Sequence, residues 1–297
     1  AKEKAVHLSR ISAERIQTEL NKLLLSAHPE VLTNAYQAGL TGVFLPEFDR
    51  LMKEQDEGEN LLGLSRGQYA IEVLKALTEV SASADALTGA SALTRASDLS
   101  GVPVSSEPQN PADSPAAASL IRRGCTPKER LILSLAVLLQ PIGEEAASRV
   151  LKRLKYDNET IRGVRHLIRY YDCDWPLTPA GVRRAMHEIG TEPMRLLLLL
   201  RAARNSAGNG EGAAHLNESV RLYHGVLERK ECVSLKDLAV GGEDLIQAGF
   251  RPGRELGEIL AQLLMRVIED PKKNQKELLL AEAGEIAERI QSSGSRM

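Results

Sequence analysis

The chain has 297 residues, of which 43% are hydrophobic and 26% charged, and its formal net charge is −2. These values are normal for a soluble protein that buries one large core or two smaller ones. The longest leucine run, residues 196–200, lies between two arginines and is far shorter than the roughly 20 apolar residues that a bilayer requires, which excludes a membrane span. Aromatic residues make up only 3%, which excludes an extensive stacking platform for single-stranded bases.

The cysteines and the first residues indicate a cellular compartment. Only three cysteines occur, Cys125, Cys173 and Cys232, and their spacing suggests no pairing. The first residues have no apolar core of the kind that a signal peptide needs. We therefore expect a reduced, cytoplasmic protein that has no membrane partner.

The charges are distributed unevenly along the chain. Residues 120–204 carry 16 Lys/Arg against 9 Asp/Glu, a difference of +7, whereas residues 1–119 carry 10 against 16, a difference of −6. A basic middle suits a surface that contacts an RNA backbone, although ordinary solvated helix faces would give the same counts. Any RNA contact is expected to be to phosphate, sugar and shape.

The apolar pattern is helical along almost the whole chain, so we predict an all-α fold. Thr126-Pro-Lys-Glu129 combines an N-cap, a proline at the first helical position and a glutamate at the third. Thr178-Pro179 and Glu192-Pro193 are expected to begin two further helices. The Ala/Ser-rich stretch 81–119, with its late prolines, and residues 205–212 are predicted to be loop, weakly helical or flexible segments.

One predicted helix carries a basic stripe. Asn158 is expected to cap a helix over residues 159–171, which has apolar residues on one face. Its basic residues lie on another face, and we nominate them as RNA-backbone contacts: Arg162, Arg165 and Arg169.

The tail shows two helix starts in tandem, separated by a glycine-rich turn. Ser234, with Asp237 three residues later, is expected to cap the first helix, and Pro252 to lie in the first turn of the second. Apolar residues then recur with helical spacing from Leu256 to Val267. Arginines beside a helix N-terminus could seat a phosphate, but an ordinary helical hairpin with exposed arginines fits the pattern equally well. The residues nominated for RNA binding are Lys236, Arg251, Gly253 and Arg254.

The tail pattern, residues 234–260, resembles the C-terminal region of bacterial CCA-adding enzymes (tRNA nucleotidyltransferases) and of the poly(A) polymerases related to them. Residues 8–24 resemble the segment that closes the neck of those enzymes, and residues 39–47, 153–160 and 197–203 continue the resemblance. It covers most of the chain except about residues 81–124. The resemblance implies tRNA as partner.

The chemistry of that family is not visible in this sequence. The family's transfer reaction uses magnesium with CTP or ATP in an N-terminal head, and Gly241-Gly-Glu-Asp244 lacks the strand context of that site. Many members also carry a metal-binding HD domain. Here Gln140 and Pro141 stand where the resemblance places its His-Asp pair, Tyr69 replaces a further histidine, and Asp172 remains. We therefore predict no catalytic residue, no metal site and no cofactor in this chain.

The resemblance implies four parts. We expect the end of the neck and the start of the body in residues 1–60, and a degenerate HD-like domain in 61–175 with an insertion at about 81–124. Body helices follow in 176–232 and the tRNA-binding tail in 233–297. The chain would bind tRNA for a nucleotidyltransferase head that is separate or covalently linked. The alternatives are a degenerate HD interaction module without RNA binding and, against the missing ligands, an active HD phosphohydrolase.

Overall fold

The computed structural model describes residues 11–54, 63–90, 124–208 and 212–294. These residues form helices and contain no β-strand, which confirms the prediction of an all-α fold. Most of the predicted insertion, residues 91–123, lies outside the described residues, as do residues 1–10 and 209–211. Within these ranges eight α-helices lie before residue 175 and six after it. The first eight are α1 Ala13–Leu24, α2 Leu32–Gln37, α3 Thr41–Phe44, α4 Pro46–Leu51, α5 Arg66–Ala90, α6 Pro127–Leu139, α7 Glu144–Arg153 and α8 Asn158–Tyr170.

Six α-helices follow. The first of them begins at the predicted Thr178-Pro179, where the Thr178 hydroxyl accepts from the N–H of Gly181. The six are α9 Pro179–Ile189, α10 Thr191–Ala207, α11 Ala213–Glu228, α12 Gly242–Gln247, α13 Arg254–Glu269 and α14 Lys276–Gly294. In the described part of the chain, no helix is both long and apolar enough to cross a membrane.

Two segments differ from the sequence prediction because helices extend into them. Helix α5 continues to Ala90, so the first ten residues of the predicted insertion are helical. Helix α10 continues to Ala207, so the stretch predicted to be flexible at 205–212 begins as helix. In residues 81–90, which include four alanines, the sequence favours helical geometry, because alanine has the highest intrinsic helix propensity.

Local capping fixes where several helices begin. At α6 the predicted capping box is present, since the N–H of Thr126 donates to Glu129 Oε2 at 2.8 Å and the N–H of Glu129 donates to Thr126 Oγ1 at 3.2 Å. At α8 the prediction that Asn158 is the cap is wrong by one residue. Asp157 is the cap, because its carboxylate accepts from both the N–H and the hydroxyl of Thr160, at 2.9 and 2.7 Å.

The chain divides into two compact units, of which the first comprises Ala1–Asp174 and Glu192–Val220. Its core centres on α6, whose residues 132–139 are all buried and which packs against α1, α5 and α8. The leucine run of α10 is buried as well. Arg195, which precedes that run, is only 5% exposed and reaches Glu129 Oε1 at 2.5 Å, so its charge is compensated inside the unit.

The second unit comprises Trp175–Thr191 and Arg221–Met297. Its core is formed by the apolar face of α13, which packs against α9 and α14. The predicted apolar positions of α13 are buried or partly buried, with Leu263 and Val267 fully so. Buried Arg183 donates to the carbonyl oxygens of Ile268 and Glu269, at 2.6 and 3.0 Å. It thereby satisfies carbonyls at the end of α13 that have no partner within the helix. The four-part division of the sequence stays a prediction.

Candidate nucleic-acid interface

The tail begins with a turn where a helix was expected. The N–H and the hydroxyl of Ser234 both donate to Asp237 Oδ2, at 2.9 and 2.7 Å, but the two residues enclose a single 3₁₀ turn, Leu235–Asp237. The helix stops there because the Asn274 side chain forms hydrogen bonds with the backbone groups that follow. Its Nδ2 donates to the Asp237 carbonyl oxygen at 2.9 Å, and its Oδ1 accepts from the N–H of Ala239 at 2.7 Å. Ser234 thus lies at the N-cap and pairs with Asp237 as predicted, but the helix that it begins is a single 3₁₀ turn.

The first tail helix is α12, and it ends in a glycine turn. Its start is fixed by Asp244, whose carboxylate accepts from the N–H of Gly241 at 2.8 Å and forms an ion pair with Lys276. Its end requires Gly249, which has a φ of +98°. The N–H of Phe250 then donates a hydrogen bond to the Leu245 carbonyl oxygen at 3.0 Å, which closes the turn. The Gly-Gly-Glu-Asp sequence is therefore a helix start, and its last carboxylate is already engaged.

The second tail helix begins later than predicted. Helix α13 starts at Arg254, with Gly253 at the N-cap, so the expectation that Pro252 lies in its first turn is wrong. Gly253 has a φ of +154°, at the edge of the region that side chains rarely adopt. Because glycine has no side chain, no side-chain hydrogen bond caps the first N–H groups of α13.

All four residues nominated in the tail are exposed: Lys236, Arg251, Gly253 and Arg254. Arg254 is 91% exposed and its Nε lies 3.0 Å from Glu258 Oε1, one turn further along α13. The 3₁₀ turn that holds Lys236 packs against α13. Two arginines and a helix N-terminus without a side-chain cap therefore lie together at the surface, which suits a bound anion.

The basic stripe of α8 has a different environment, because two of its three arginines have carboxylate partners on α7. Arg165 Nη2 lies 2.7 Å from Glu144 Oε1 and 2.9 Å from Glu145 Oε1, and Arg169 Nη2 lies 2.8 Å from the same Glu144 oxygen. Arg162 is exposed and forms no ion pair with the residues that the structure describes. Of the stripe, only Arg162 thus presents an uncompensated charge.

Glu144 holds the arginine pair in place. The hydrogen bonds from Arg169 have the largest effect on the pKa of its carboxyl, burial opposes them, and the bonds from Arg165 act with them, so that the pKa is lowered below the usual range. The Glu144 side chain is 21% exposed, so this carboxylate is shielded more than either guanidinium. Sequence reasoning missed this glutamate, since the glutamate and its partners are 21 and 25 residues apart along the chain.

An arginine lies at the place where the resemblance would put the metal site of an HD domain. Gln140 Nε2 donates to Asp172 Oδ2 at 3.2 Å, and Arg204 Nη1 donates to Asp172 Oδ1 at 2.8 Å. The Arg204 guanidinium also lies over the Tyr171 ring, 4.5 Å from the ring centroid. Both carboxylate oxygens of Asp172 therefore have protein donors. Among the described residues, no group of three or more His, Cys, Asp or Glu residues is arranged to hold a metal ion.

Comparison with known proteins places the chain among RNA-binding regions related to tRNA nucleotidyltransferases. Residues 125–283, more than half of the chain, match the family described as "tRNA nucleotidyltransferase domain 2 putative", and the chain belongs to this family. Residues 1–52 match the family described as "Probable RNA and SrmB- binding site of polymerase A".

A curated relative is the CCA-adding enzyme of Lactococcus lactis subsp. lactis (strain IL1403). It is 24% identical over 149 residues, which cover 50% of this chain and 33% of that enzyme. The match thus spans about a third of the relative's length.

Proposed function

We propose that this chain is the tRNA-binding C-terminal portion of a cytoplasmic CCA-adding tRNA nucleotidyltransferase. It would hold the acceptor and T-arm region of tRNA so that the 3′ end reaches a catalytic head. The observation that carries this proposal is the family match over residues 125–283, which includes the exposed cations of the tail. The match of residues 1–52 to a probable RNA-binding site and the CCA-adding relative also support it.

We assign the transfer of CMP and AMP to a head domain that is not part of this sequence, separate or covalently linked. Magnesium with CTP or ATP belongs to that head. The only Gly-Gly turn followed by acidic residues is the start of α12, where the N–H of Gly241 and the ammonium of Lys276 occupy the carboxylate of Asp244. Such a carboxylate would have to give up both partners to bind a metal ion.

In this proposed function, the turn at residues 251–254 binds the RNA backbone. The guanidinium groups of Arg251 and Arg254 would contact phosphates, and the first N–H groups of α13 would face one of them. Gly253 leaves room for close approach, because a Cβ placed there would meet no atom of the described residues within 4 Å. Backbone contacts carry little sequence information, so different tRNAs are expected to bind alike.

The test is a salt titration of tRNA binding. Each phosphate contact contributes about 0.9 to the slope of log affinity against log salt, so losing both arginines in R251A/R254A should flatten the slope by about 1.8. The matched control R184A/K272A also removes two positive charges, but both lie at the other end of α13, about 22 Å away along its axis.

The outcomes of this titration separate the alternatives. A flatter slope in the tail variant alone supports the proposal, whereas equal slopes in both variants would show that only net charge matters. The second candidate is a helical interaction module that does not bind RNA. It is favoured by the pairing of Arg165 and Arg169 with glutamates. Absence of tRNA binding by the wild type at low salt would establish it.

A further inference from the structure

A charged hollow lies in the first unit, and none of its lining residues is among the residues nominated from the sequence. It has a volume of about 490 Å³ and is lined by α4, by the 3₁₀ turn after α6 and by one face of α7. Three arginines line it: Arg50 on α4, and Arg149 and Arg153 on α7.

One of these arginines is held rigidly. Arg153 donates two hydrogen bonds to the carboxylate of Glu47, at 2.8 and 2.7 Å, and a third to the carbonyl oxygen of Phe44 at 3.3 Å. The bonds from Arg153 are the largest of the effects that lower the pKa of Glu47, so this carboxylate is ionised at neutral pH. The pair closes one wall of the hollow and neutralises one of the three arginines.

The other two arginines are not neutralised. Arg50 and Arg149 are exposed, and neither makes an ion pair with a residue in the described ranges. Arg149 and Arg153 are four residues apart on one face of α7, but Glu47 compensates Arg153, so the free positive charge of the hollow is that of Arg50 and Arg149. The lining also holds Glu54, so three positive and two negative side chains leave a net charge of +1.

A phosphate group fits this arrangement better than other ligand classes. Planar guanidinium forks form paired hydrogen bonds to phosphate oxygens, and an anion would relieve the repulsion between like charges. A cation would meet three arginines. An apolar ligand would leave charged groups without solvent, which is unfavourable.

We propose that this hollow, with Arg50 and Arg149 as its donors, binds a phosphate of the RNA backbone. The inference rests on the proposed function and adds a contact within the first unit. Its two walls come from separate matched regions: α4 lies within residues 1–52, which match a probable RNA-binding site, and α7 lies within residues 125–283. Arg153, held by Glu47, positions the wall.

The test compares R50Q/R149Q with the control K53Q/K152Q in a salt titration of tRNA binding. Lys53 and Lys152 are exposed neighbours of the two arginines in the chain but do not line the hollow. Loss of two phosphate contacts should flatten the slope by about 1.8, so that the affinity ratio of wild type to variant changes about 12-fold between 50 and 200 mM salt. The control should keep the wild-type slope. Thermal unfolding checks that both variants are folded.

The possible results distinguish the two proposals. Tight tRNA binding with the wild-type slope in R50Q/R149Q would overturn this inference and leave the proposed function intact. No tRNA binding by the wild type at 50 mM salt would overturn both. A titration with inorganic phosphate followed by NMR tests the other source of the ligand. If phosphate binds wild type but not R50Q/R149Q while the RNA slope stays unchanged, the hollow is a free-phosphate site and the RNA assignment is wrong.

Discussion

Replacing Glu144 with glutamine tests whether the α8 stripe contacts RNA. In the structure this one carboxylate accepts hydrogen bonds from Arg165 at 3.0 and 2.7 Å and from Arg169 at 3.1 and 2.8 Å. An RNA phosphate would have to compete with it for both guanidinium groups. E144Q removes the competing charge and leaves a side chain of nearly the same size, so we expect tRNA to bind more tightly.

The size of the effect follows from the number of arginines released. Two additional phosphate contacts would steepen the slope of log affinity against log salt by about 1.8. The ratio of the E144Q affinity to the wild-type affinity would then change about 12-fold between 50 and 200 mM salt. The cost in stability is smaller, because partly exposed ion pairs contribute roughly 0–1 kcal/mol each. For a unit of this size, that corresponds to a fall in Tm of a few degrees.

The assay is a salt titration with fluorescently labelled tRNA, and E145Q is the control. Glu145 adjoins Glu144 and carries the same charge, but among the described residues its only ion pair is with Arg165, and it is 75% exposed. A gain in E144Q that clearly exceeds the gain in E145Q supports RNA contact by Arg165 and Arg169. Equal gains would indicate a general charge effect. An unchanged slope in E144Q would refute the reasoning and make the two arginines structural.

Two further predictions concern the start of α8 and Asp172, which lies where the resemblance places the metal site of an HD domain. D157A should destabilise the chain by about 1 kcal/mol at pH 7 through loss of the helix cap, as measured by urea unfolding. The hydroxyl and N–H of Thr160 lower the pKa of Asp157 to about 2, so its contribution is present above pH 4 and is lost as the pH falls toward 2. The difference from wild type should therefore shrink below pH 4, and a constant difference would contradict this assignment. Chelator-free protein should contain no stoichiometric Mn, Zn or Fe, and bound metal that is lost in D172A would revive the phosphohydrolase alternative.

Features that depend on neighbours in the chain could be predicted from the sequence. The all-α class, the capping box of Thr126 and Glu129 and the apolar stripe of α13 follow from spacings of three and four residues. The cap of α8 was misplaced by one residue because Asp157 and Asn158 are both good caps, and only the structure shows which side chain reaches Thr160.

Features that depend on distant residues could not be predicted. The pairing of Ser234 with Asp237 was foreseen, but Asn274, about 40 residues later, ends the turn that they begin. The neutralisation of Arg169 by Glu144 and of Asp172 by Arg204 likewise joins residues that are 25 and 32 positions apart in the chain. Helical periodicity shows which face a residue occupies, and only tertiary packing decides which side chain it meets.

The central claim is that this chain binds tRNA through phosphate contacts, and a salt titration of the wild type tests it most directly. Labelled tRNA lacking its 3′ end would be titrated with wild-type protein between 50 and 300 mM salt. Apart from Arg165 and Arg169, which Glu144 binds, the nominated cations are Arg162, Lys236, Arg251 and Arg254, so four contacts predict a slope of about −3.6, similar for different tRNAs. No binding at 50 mM salt, or binding that does not change with salt, would contradict the account.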